Sequence, residues 1–457
     1  MSNFDDTIAA IATAPGEGGV AIVRVSGPDA LKIADKIFRG PAPKASARST
    51  HTIVHGHVVD ARGKDIDEVV LLIMRNPQSY TAEDVIELQG RGGNVAAKRI
   101  LRRVLDAGAR MAEPGEFTKR AFLNGRIDLV QAEAVLDLVH AGSDRAAAAA
   151  VEQLEGKLSR SFNEIYDSLV SVAADLEATL DFSEEELPTS TMPELSRRLN
   201  AVNQSIGELI STWDEGHILR EGALVVILGK PNVGKSTMMN KLLGRDRAIV
   251  SQIPGTTRDT IEERYVLEGI PLRLVDTAGL RETECEIEQE GVRRARAQLQ
   301  KADLHLYLID VSKPLDADDR DHLAALKSEK CVVVLNKTDL GQIVLPDQIQ
   351  GMTVVHASLI TGAGLDDVRR AMAKKLAAGI NLSVQPHASI SERHRRLLVD
   401  AQAELREALA LINQQSSDIV LAADRLRDAL EHLGMVTGKV YHDELLASIF
   451  SRFCIGK

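Results

Sequence analysis

In the first part of the chain, short apolar runs separated by turn-forming residues predict β-strands. One segment departs from this pattern, because residues 93–107 place apolar side chains along one side of a helix. Strands mixed with a helix predict an α/β or α+β domain over residues 1–118. The polar side of the helix carries Lys98, Arg99, Arg102 and Arg103, which is typical of a solvated helix face; an RNA contact is the alternative. The strand-like runs are residues 7–13, 19–25, 52–59, 68–74 and 85–89.

From residue 119 the pattern becomes helical, with apolar residues at steps of three or four. Residues 151–180 form a stripe that predicts one helix of about 45 Å at 1.5 Å per residue. A second helix is expected over residues 192–214, and a comparable stripe follows over residues 398–433. The members of the first stripe are Val151, Leu154, Leu158, Phe162, Ile165, Leu169, Val172, Leu176 and Leu180.

Between the helical segments, a buried-strand pattern at Ala223–Leu228 leads into a glycine-rich loop and a helix-like run. Residues 229–236 fit the phosphate-loop pattern Gly-x-x-x-x-Gly-Lys-Ser. Glycines let backbone N–H groups turn towards phosphate oxygens, and the following helix N-terminus adds partial positive charge. We expect Lys235 to reach the β- and γ-phosphates and Ser236 to hold Mg²⁺. The other loop residues expected to contact the nucleotide are Asn232, Val233, Gly234 and Thr237.

Two further motifs follow apolar runs and indicate guanine as the base. The first is Asp276-Thr277-Ala278-Gly279, which places a carboxylate near Mg²⁺ and a glycine N–H near the γ-phosphate. The second is Asn336-Lys337-Thr338-Asp339. Its last carboxylate can accept hydrogen bonds from guanine N1–H and N2–H₂, each contributing about 1.5–3 kcal/mol. Ser358, in Ser358-Leu359-Ile360, is a weaker signal, because many GTPases have Ser-Ala-Lys there.

The sequence lacks a glutamine that many GTPases use to orient the attacking water, because Leu280 occupies that position. A catalytic group must therefore come from elsewhere. Asn232 and the segment 251–258 offer oxygens that could hold a monovalent cation against the phosphates. Thr257 is a further expected Mg²⁺ ligand, and Arg258 is a catalytic candidate. The nucleotide-contacting residues predicted in this segment are Ser251, Gln252, Ile253, Pro254, Gly255, Thr256 and Thr257.

Composition limits the class of protein. The net charge of −11 argues against coating nucleic acid by bulk electrostatics, although local basic patches remain possible. The three cysteines have no paired spacing, which suits a reducing compartment. We expect no membrane segment and a cytoplasmic location. For Cys454, near the end of the chain, a reactive thiol beside Lys457 and an inert tail are both open from chemistry alone.

These patterns predict a multidomain fold, α/β plus all-α. The N-terminal α/β domain covers residues 1–118, and a P-loop GTPase domain of Ras-like fold covers residues 217–379. The GTPase domain is inserted into a helical domain formed from both flanks, residues 119–216 and 380–457.

Several motifs together resemble the MnmE (TrmE) family of tRNA uridine-modification GTPases. The GTPase motifs alone would also suit the related Era and Der families. Segments outside the GTPase domain favour MnmE, and the resemblance runs from end to end. They are Pro15-Gly-Glu-Gly-Gly19, Glu83-Asp-Val-Ile-Glu-Leu-Gln-Gly90, Pro114-Gly-Glu-Phe117, Arg120-Ala-Phe-Leu-Asn124 and Cys454-Ile-Gly-Lys457.

The resemblance implies a potassium-activated GTPase whose GTPase domains dimerise across their nucleotide faces. Asn232, Ser251, Ile253 and Thr256 match the K⁺ ligands, and the family has threonine where this chain has Ser251. Glu288 matches the family's catalytic glutamate; the alternative is one more carboxylate in the charged run 282–290.

The resemblance also implies that the N-terminal domain resembles folate-binding domains and mediates dimerisation. Its ligand would be a tetrahydrofolate derivative, in the 5,10-methylene or 5-formyl form. Arg24, Glu87 and Lys457 match its ligand-contacting positions, and Arg126 stands where a relative has lysine. Cys454 matches a cysteine that the family needs for modification.

The implied partners are tRNA, a second copy of the chain and the FAD-dependent protein MnmG, in a heterotetramer. Together they would modify carbon 5 of the wobble uridine, position 34, to aminomethyl or carboxymethylaminomethyl forms. The alternative function is a GTP-switched RNA- or ribosome-binding factor without transfer chemistry.

Overall fold

The structure, a computed structural model, describes residues 5–181, 191–244, 262–276, 302–341, 349, 351–377, 390–413 and 419–456. The chain packs into two compact units. The first comprises Met1–Leu136, Ser159–Tyr166 and Leu430–Lys457. The second comprises Asp137–Leu158 and Asp167–Ala429. Each unit contains one β-sheet.

The sheet of the first unit is mostly antiparallel, with strand order β3-β4-β5-β6-β2-β1-β7. The one parallel pair is β1 with β7. All five predicted strand runs are confirmed, and the bounds of the 52–59 run are unchanged. The strands are β1 (Ile8–Ile11), β2 (Val20–Ser26), β3 (Phe38–Arg39), β4 (Thr52–Val59), β5 (Asp65–Met74), β6 (Val85–Arg91) and β7 (Arg110–Met111).

The helices confirm the helical character predicted for most of the remaining chain. In chain order, the first seven are α1 (Ala30–Ile37), α2 (Asn94–Asp106), α3 (Glu116–Leu123), α4 (Leu129–His140), α5 (Asp144–Leu154), α6 (Lys157–Asp181) and α7 (Thr191–Ser211). The next seven are α8 (Trp213–Glu221), α9 (Lys235–Leu243), α10 (Ala317–Ala325), α11 (Leu365–Ala377), α12 (Glu392–Asn413), α13 (Ile419–Thr437) and α14 (Asp443–Phe450).

The long stripe of residues 151–180 is not one helix, so that prediction was wrong. Gly156 has a φ of +78°, a left-handed conformation that ends α5 and precedes α6. The α6 helix alone is about 38 Å long at 1.5 Å per residue. Val151, at the start of the stripe, is exposed. The apolar spacing continues across the break because each of the two helices buries one side. A single residue in the left-handed conformation does not change this spacing, so the pattern alone cannot locate the break.

The second unit contains a sheet of order β13-β12-β11-β8-β10-β9, parallel except for the antiparallel pair β9–β10. Every residue of β11 and β12 is buried, which explains their continuous apolar sequence. Because the strands are parallel, the loops after β8, β11, β12 and β13 meet at one edge. The strands are β8 (Ala223–Leu228), β9 (Glu262–Leu267), β10 (Ile270–Asp276), β11 (Leu304–Asp310), β12 (Cys331–Asn336) and β13 (Thr353–His356).

A helix that precedes this sheet in the sequence packs against a helix that follows it. The α7 helix precedes the sheet and the α12 helix follows it, and each buries leucines on one side. Ser196 Oγ donates to Asn413 Oδ1 at 3.0 Å, and Gln402 Nε2 donates to the Asn203 carbonyl at 3.3 Å. The packing agrees with a helical layer built from both flanks. The α3 and α8 helices each span a predicted domain boundary, at residues 118/119 and 216/217.

Candidate nucleotide site and N-terminal ligand site

The phosphate loop joins the end of β8 to the start of α9, as predicted. Three of its residues have positive φ: Gly229 (+135°), Asn232 (+63°) and Gly234 (+107°). A Cβ on Gly229 would lie 2.4 Å from the Leu308 carbonyl oxygen, so a larger residue would push the loop away from β11. Glycine is therefore required at this position by packing as well as by conformation. Asn232 lies exposed in the loop, as expected for a residue facing a ligand.

Lys235 is buried at the N-terminus of α9. Its Nζ donates to the carbonyls of Gly229 at 2.7 Å and Lys230 at 2.8 Å. These bonds hold the ammonium group inside the loop, where a nucleotide's phosphates would lie. Ser236 and Thr237, the next two residues of α9, are exposed. An accessible Ser236 hydroxyl fits the expected Mg²⁺ ligand.

Lys230 connects this loop to α10. Its Nζ contacts Asp319 Oδ2 at 2.9 Å and also contacts Asp316, the N-cap residue of α10. The hydrogen bond with Asp316 raises the pKa of Lys230. Since the Lys230 carbonyl also accepts from Lys235, the ion pair fixes one of the groups that orient the phosphate-binding lysine.

Asn336 ties the phosphate loop to the loop after β13. Its side chain is 3% exposed. Its Nδ2 donates to the Val233 carbonyl at 2.7 Å, and its Oδ1 accepts from the Leu359 N–H at 3.1 Å. This asparagine therefore positions two loops, and these bonds leave its second amide hydrogen for the predicted contact with the nucleotide.

The residues predicted to recognise the base meet at the same edge. Ser358 is buried and donates to Asp339 Oδ1 at 2.5 Å, which orients the exposed Asp339 carboxylate predicted to bind guanine. Lys337 has a φ of +69°, and its Nζ pairs with Asp310 at 2.6 Å. Burial alone would raise the pKa of Asp310, but hydrogen bonds from Lys337 and Ser312 hold it below its ordinary value.

In the first unit, two of the predicted folate residues lie over the Tyr80 ring, and a third pairs with one of them. Arg24 and Glu87 are directly opposite on β2 and β6, and Arg24 Nε donates to Glu87 Oε1 at 2.9 Å. The Arg24 guanidinium lies 5.5 Å from the Tyr80 ring centroid, and that of Arg126 lies 5.1 Å from it. Arg126 also donates to the Tyr80 carbonyl at 2.8 Å. The site thus combines two cations, a carboxylate and an aromatic ring.

Comparisons with known proteins cover the whole chain. Residues 7–126 match the family model described as the GTP-binding protein TrmE N-terminus, and residues 129–454 match the MnmE helical domain. A protein of Geobacter sulfurreducens described as "tRNA modification GTPase MnmE" is 46% identical to this chain, and the match covers 99% of each chain. The relative in Geobacillus thermodenitrificans is 43% identical with 100% of each chain covered. The chain belongs to the MnmE family of tRNA modification GTPases.

As a member of the MnmE family, the chain is a GTP hydrolase, and the predicted fold class is confirmed. The solved structure of an Era variant from Aquifex aeolicus bound to GDP and aluminium fluoride is 28% identical. The match covers 40% of this chain and 66% of that structure, with a TM-score of 0.28. In the part of the chain that the structure describes, no helix has the length and apolarity needed to cross a membrane.

The C-terminal segment characteristic of the MnmE family lies against the N-terminal sheet. Cys454 is exposed, and its carbonyl accepts from the Gly115 N–H at 3.5 Å, next to the start of α3. Gly456 has a φ of +102°, and a Cβ there would lie 2.3 Å from the Ile11 carbonyl oxygen. This close approach to the end of β1 explains the glycine. The tail belongs to the same unit as Arg24 and Glu87.

Other MnmE-like motifs of the N-terminal region form a buried ionic cluster. Arg120 is fully buried and donates to Glu83 Oε1 at 3.2 Å and Glu116 Oε1 at 3.0 Å. Burial would raise the pKa of Glu116, but the bond from Arg110 and further bonds from Glu113 and Arg120 lower it. A fully buried cation needs such partners. These motif residues therefore hold the unit together.

Several predicted site residues lie outside the described residues or have no described side chain. The side chain of Asp276, the last residue of β10, is among them. They also include the segments 251–258 and 277–279 of the GTPase site, together with Leu280, Glu288 and Lys457. The roles assigned to them stay predictions.

Sequence reasoning missed Tyr80 and Asp310. Tyr80 precedes the quoted motif that starts at Glu83, and aromatic residues make up 3% of the chain. A tyrosine beside a motif in so aromatic-poor a chain was therefore a usable signal. Asp310 ends an apolar run whose parallel strand meets the nucleotide edge, a position comparable to those of Asp276 and Asn336.

Proposed function

We propose that this chain is a potassium-activated GTPase that modifies carbon 5 of the wobble uridine of certain tRNAs with an FAD-dependent MnmG partner. The products would be the aminomethyl or carboxymethylaminomethyl forms, with a tetrahydrofolate derivative as one-carbon donor. The observation that carries the proposal is the position of Arg24 and Arg126 over the Tyr80 ring, with Glu87 paired to Arg24. Family membership and the GTPase motifs support it.

The Tyr80 cluster has the chemistry that a reduced folate requires. The pterin has an amidine-like edge that a carboxylate such as Glu87 can bind, and its ring can stack on an aromatic side chain. The glutamate tail of folate is anionic, which suits Arg126, an exposed residue whose guanidinium lies over the Tyr80 ring. Lys457 would add a second cation. When bound, the folate supplies the carbon that is transferred.

On the GTPase side, Lys235 would neutralise the phosphates while Ser236 and Thr257 hold Mg²⁺. Asn232, Ser251, Ile253 and Thr256 would hold K⁺, which supplies positive charge between the β- and γ-phosphates. Glu288 would position the attacking water in place of the missing glutamine, with Arg258 nearby. Charge held at fixed positions stabilises a phosphoryl-transfer transition state without covalent chemistry by the protein.

We further propose that GTP hydrolysis drives association and release of the GTPase domains in a homodimer. A second copy would complete the ion-dependent site, and MnmG would join the pair as a heterotetramer. Association and release of the GTPase domains would then allow the reaction at the folate site to proceed. Domain limits of 1–118, 119–216, 217–379 and 380–457 and a cytoplasmic location belong to the same proposal.

The deciding experiment is mass analysis of the wobble uridine in tRNA from cells lacking this gene. Loss of the modified nucleoside, restored by the intact chain, is expected. Complementation with the Cys454→Ser variant should fail while its GTPase rate in K⁺ stays at the level of the intact protein. Unchanged tRNA in the deletion strain would refute the proposal. Folate binding by the purified chain separates it from a ribosome-binding switch, which needs no folate.

A further inference from the structure

One side of α2 carries positive charge that is not paired with any of the described residues. The buried side of the helix packs Ala97, Ile100, Leu101 and Val104 against the N-terminal sheet. The opposite side exposes three cations, and we call Lys98, Arg99 and Arg102 the basic face of α2. In the described residues, these three side chains form neither an ion pair nor a hydrogen bond.

Several other helices pair exposed cations with a nearby carboxylate, although single exposed cations such as Arg320 and Arg396 have no such partner among the described residues. A carboxylate three residues away pairs with an arginine in α7, α11, α12 and α13, as in Arg197 with Glu194 and Arg370 with Asp367. The same arrangement occurs for Lys32 with Asp29 at the start of α1. In a protein with a net charge of −11, such local pairing is what composition favours. The basic face of α2 differs in grouping three exposed cations without a described partner on one side of a single helix.

Within α2 the charges also repel one another. The helix holds four cations and a single carboxylate, Asp106. Lys98 and Arg102, like Arg99 and Arg103, are four residues apart, a spacing at which like charges destabilise a helix. An external anion would relieve this repulsion. The arrangement is therefore better suited to a bound polyanion than to solvent alone.

The basic face is held in place by the fourth cation. Arg103 Nε donates to the Val59 carbonyl at 2.9 Å, and its guanidinium also reaches the Lys36 carbonyl at 3.4 Å. Lys36 Nζ in turn donates to the Ala107 carbonyl, just after α2, at 3.2 Å. These bonds fix α2 to β4 and α1. Three free cations are therefore presented on a rigid helix.

We infer that the basic face of α2 binds the phosphate backbone of tRNA. The inference rests on the proposed function, which makes tRNA the substrate. The face has no aromatic side chain that could stack on a base, so its contacts would be electrostatic and independent of base sequence. Such contacts would hold tRNA on the N-terminal unit, which also contains the Tyr80 cluster and Cys454.

The test compares two triple variants of the full-length protein in titrations with an unmodified tRNA transcript over a range of KCl concentrations. One variant is Lys98→Gln/Arg99→Gln/Arg102→Gln. The matched control is Arg197→Gln/Arg370→Gln/Arg427→Gln, which also removes three exposed positive charges, each from an arginine that is paired. Far-UV circular dichroism and the GTPase rate establish that both variants are folded.

For three phosphate contacts at about 0.7–0.9 released counterions each, a fourfold rise in salt weakens binding by about 20- to 40-fold. The α2 variant should lose this part of the salt dependence and bind more weakly at low salt. The control should follow the intact protein. Equal tRNA binding by the α2 variant and the control would overturn the inference, as would an α2 variant that loses binding of MnmG while keeping tRNA.

The two proposals can fail separately. If cells with the intact gene modify the wobble uridine and the α2 variant binds tRNA normally, the proposed function stands and the basic face is solvated. If deletion of the gene leaves the wobble uridine unchanged, the proposed function fails whatever α2 binds. A chain that shows no tRNA binding in any salt would also overturn the role of α2.

Discussion

Replacement of Asn336 by alanine should loosen the phosphate loop without touching a phosphate ligand. The side chain is buried and bonds Val233 on one loop and Leu359 on another. Alanine would leave the Val233 carbonyl and the Leu359 N–H without these hydrogen-bond partners, at a buried position that water reaches poorly. A buried polar group without a partner costs about 1–3 kcal/mol, so the two together would cost about 2–6 kcal/mol.

Part of this cost falls on nucleotide binding. If the bond to Val233 alone is needed to hold the loop in its binding conformation, its loss of about 1–3 kcal/mol corresponds to about a 5- to 150-fold weaker affinity. We expect GTP and GDP to be affected alike, because the loop contacts the phosphates they share. The loss should appear together with a lower unfolding temperature of the nucleotide-free protein.

The assay is a titration with a fluorescent guanine nucleotide, paired with thermal unfolding by circular dichroism. Asp339→Asn is the matched control, because asparagine can still accept the hydrogen bond from Ser358. That variant should keep its unfolding temperature and lose guanine affinity, and it should gain affinity for xanthine, whose C2 carbonyl can accept from the new amide. An Asn336→Ala protein with unchanged nucleotide affinity and unchanged stability would refute the role assigned to Asn336.

Three further outcomes follow from the structure. Gly456→Ala should displace the C-terminal tail from Ile11 and abolish tRNA modification while the K⁺-dependent GTPase rate persists, as measured by nucleoside mass analysis and phosphate release. The pKa of Glu116 is lowered in the folded protein, so its contribution to stability is present above about pH 4 and is lost as the pH falls through the folded pKa. Glu116→Gln should therefore lower the unfolding temperature at pH 7, and the unfolding temperature of this variant should fall less steeply in acid. Lys230→Gln, which breaks the pair with Asp319, should raise the KM for GTP severalfold at unchanged kcat, and Lys230→Arg should restore it.

The strands and the phosphate loop could be predicted from the sequence because each depends on a local pattern of residues. The β8 strand is a continuous apolar run, and the loop after it needs glycine where φ is positive, as at Gly229 and Gly234. Parallel topology then determines that Asn336 and Asp339 share an edge with the loop. The role of Asn336 was not accessible, because its partners lie 103 and 23 residues away in the chain.

The break between α5 and α6 illustrates a second limit. Hydrophobic periodicity reports which side of a helix is buried, and both helices bury one side. A chain reversal or bend at one glycine preserves that spacing when the next helix resumes in a similar phase. Gly156 is the local signal of the break, because a glycine within a run of helical apolar spacing can end one helix before the next begins.

The N-terminal motifs that resemble the family contain residues with different structural roles. Glu83 and Arg120 helped to identify the family, yet in the structure they bond each other in a buried cluster. Glu87, four residues after Glu83 and on β6, instead pairs with Arg24 beside Tyr80. A motif therefore mixes residues that stabilise the fold with residues that are predicted to contact a ligand. A neutral substitution at Glu87 should weaken folate binding and cost less stability than one at Glu83, because Arg24, the partner of Glu87, keeps partial exposure whereas Arg120, the partner of Glu83, is fully buried.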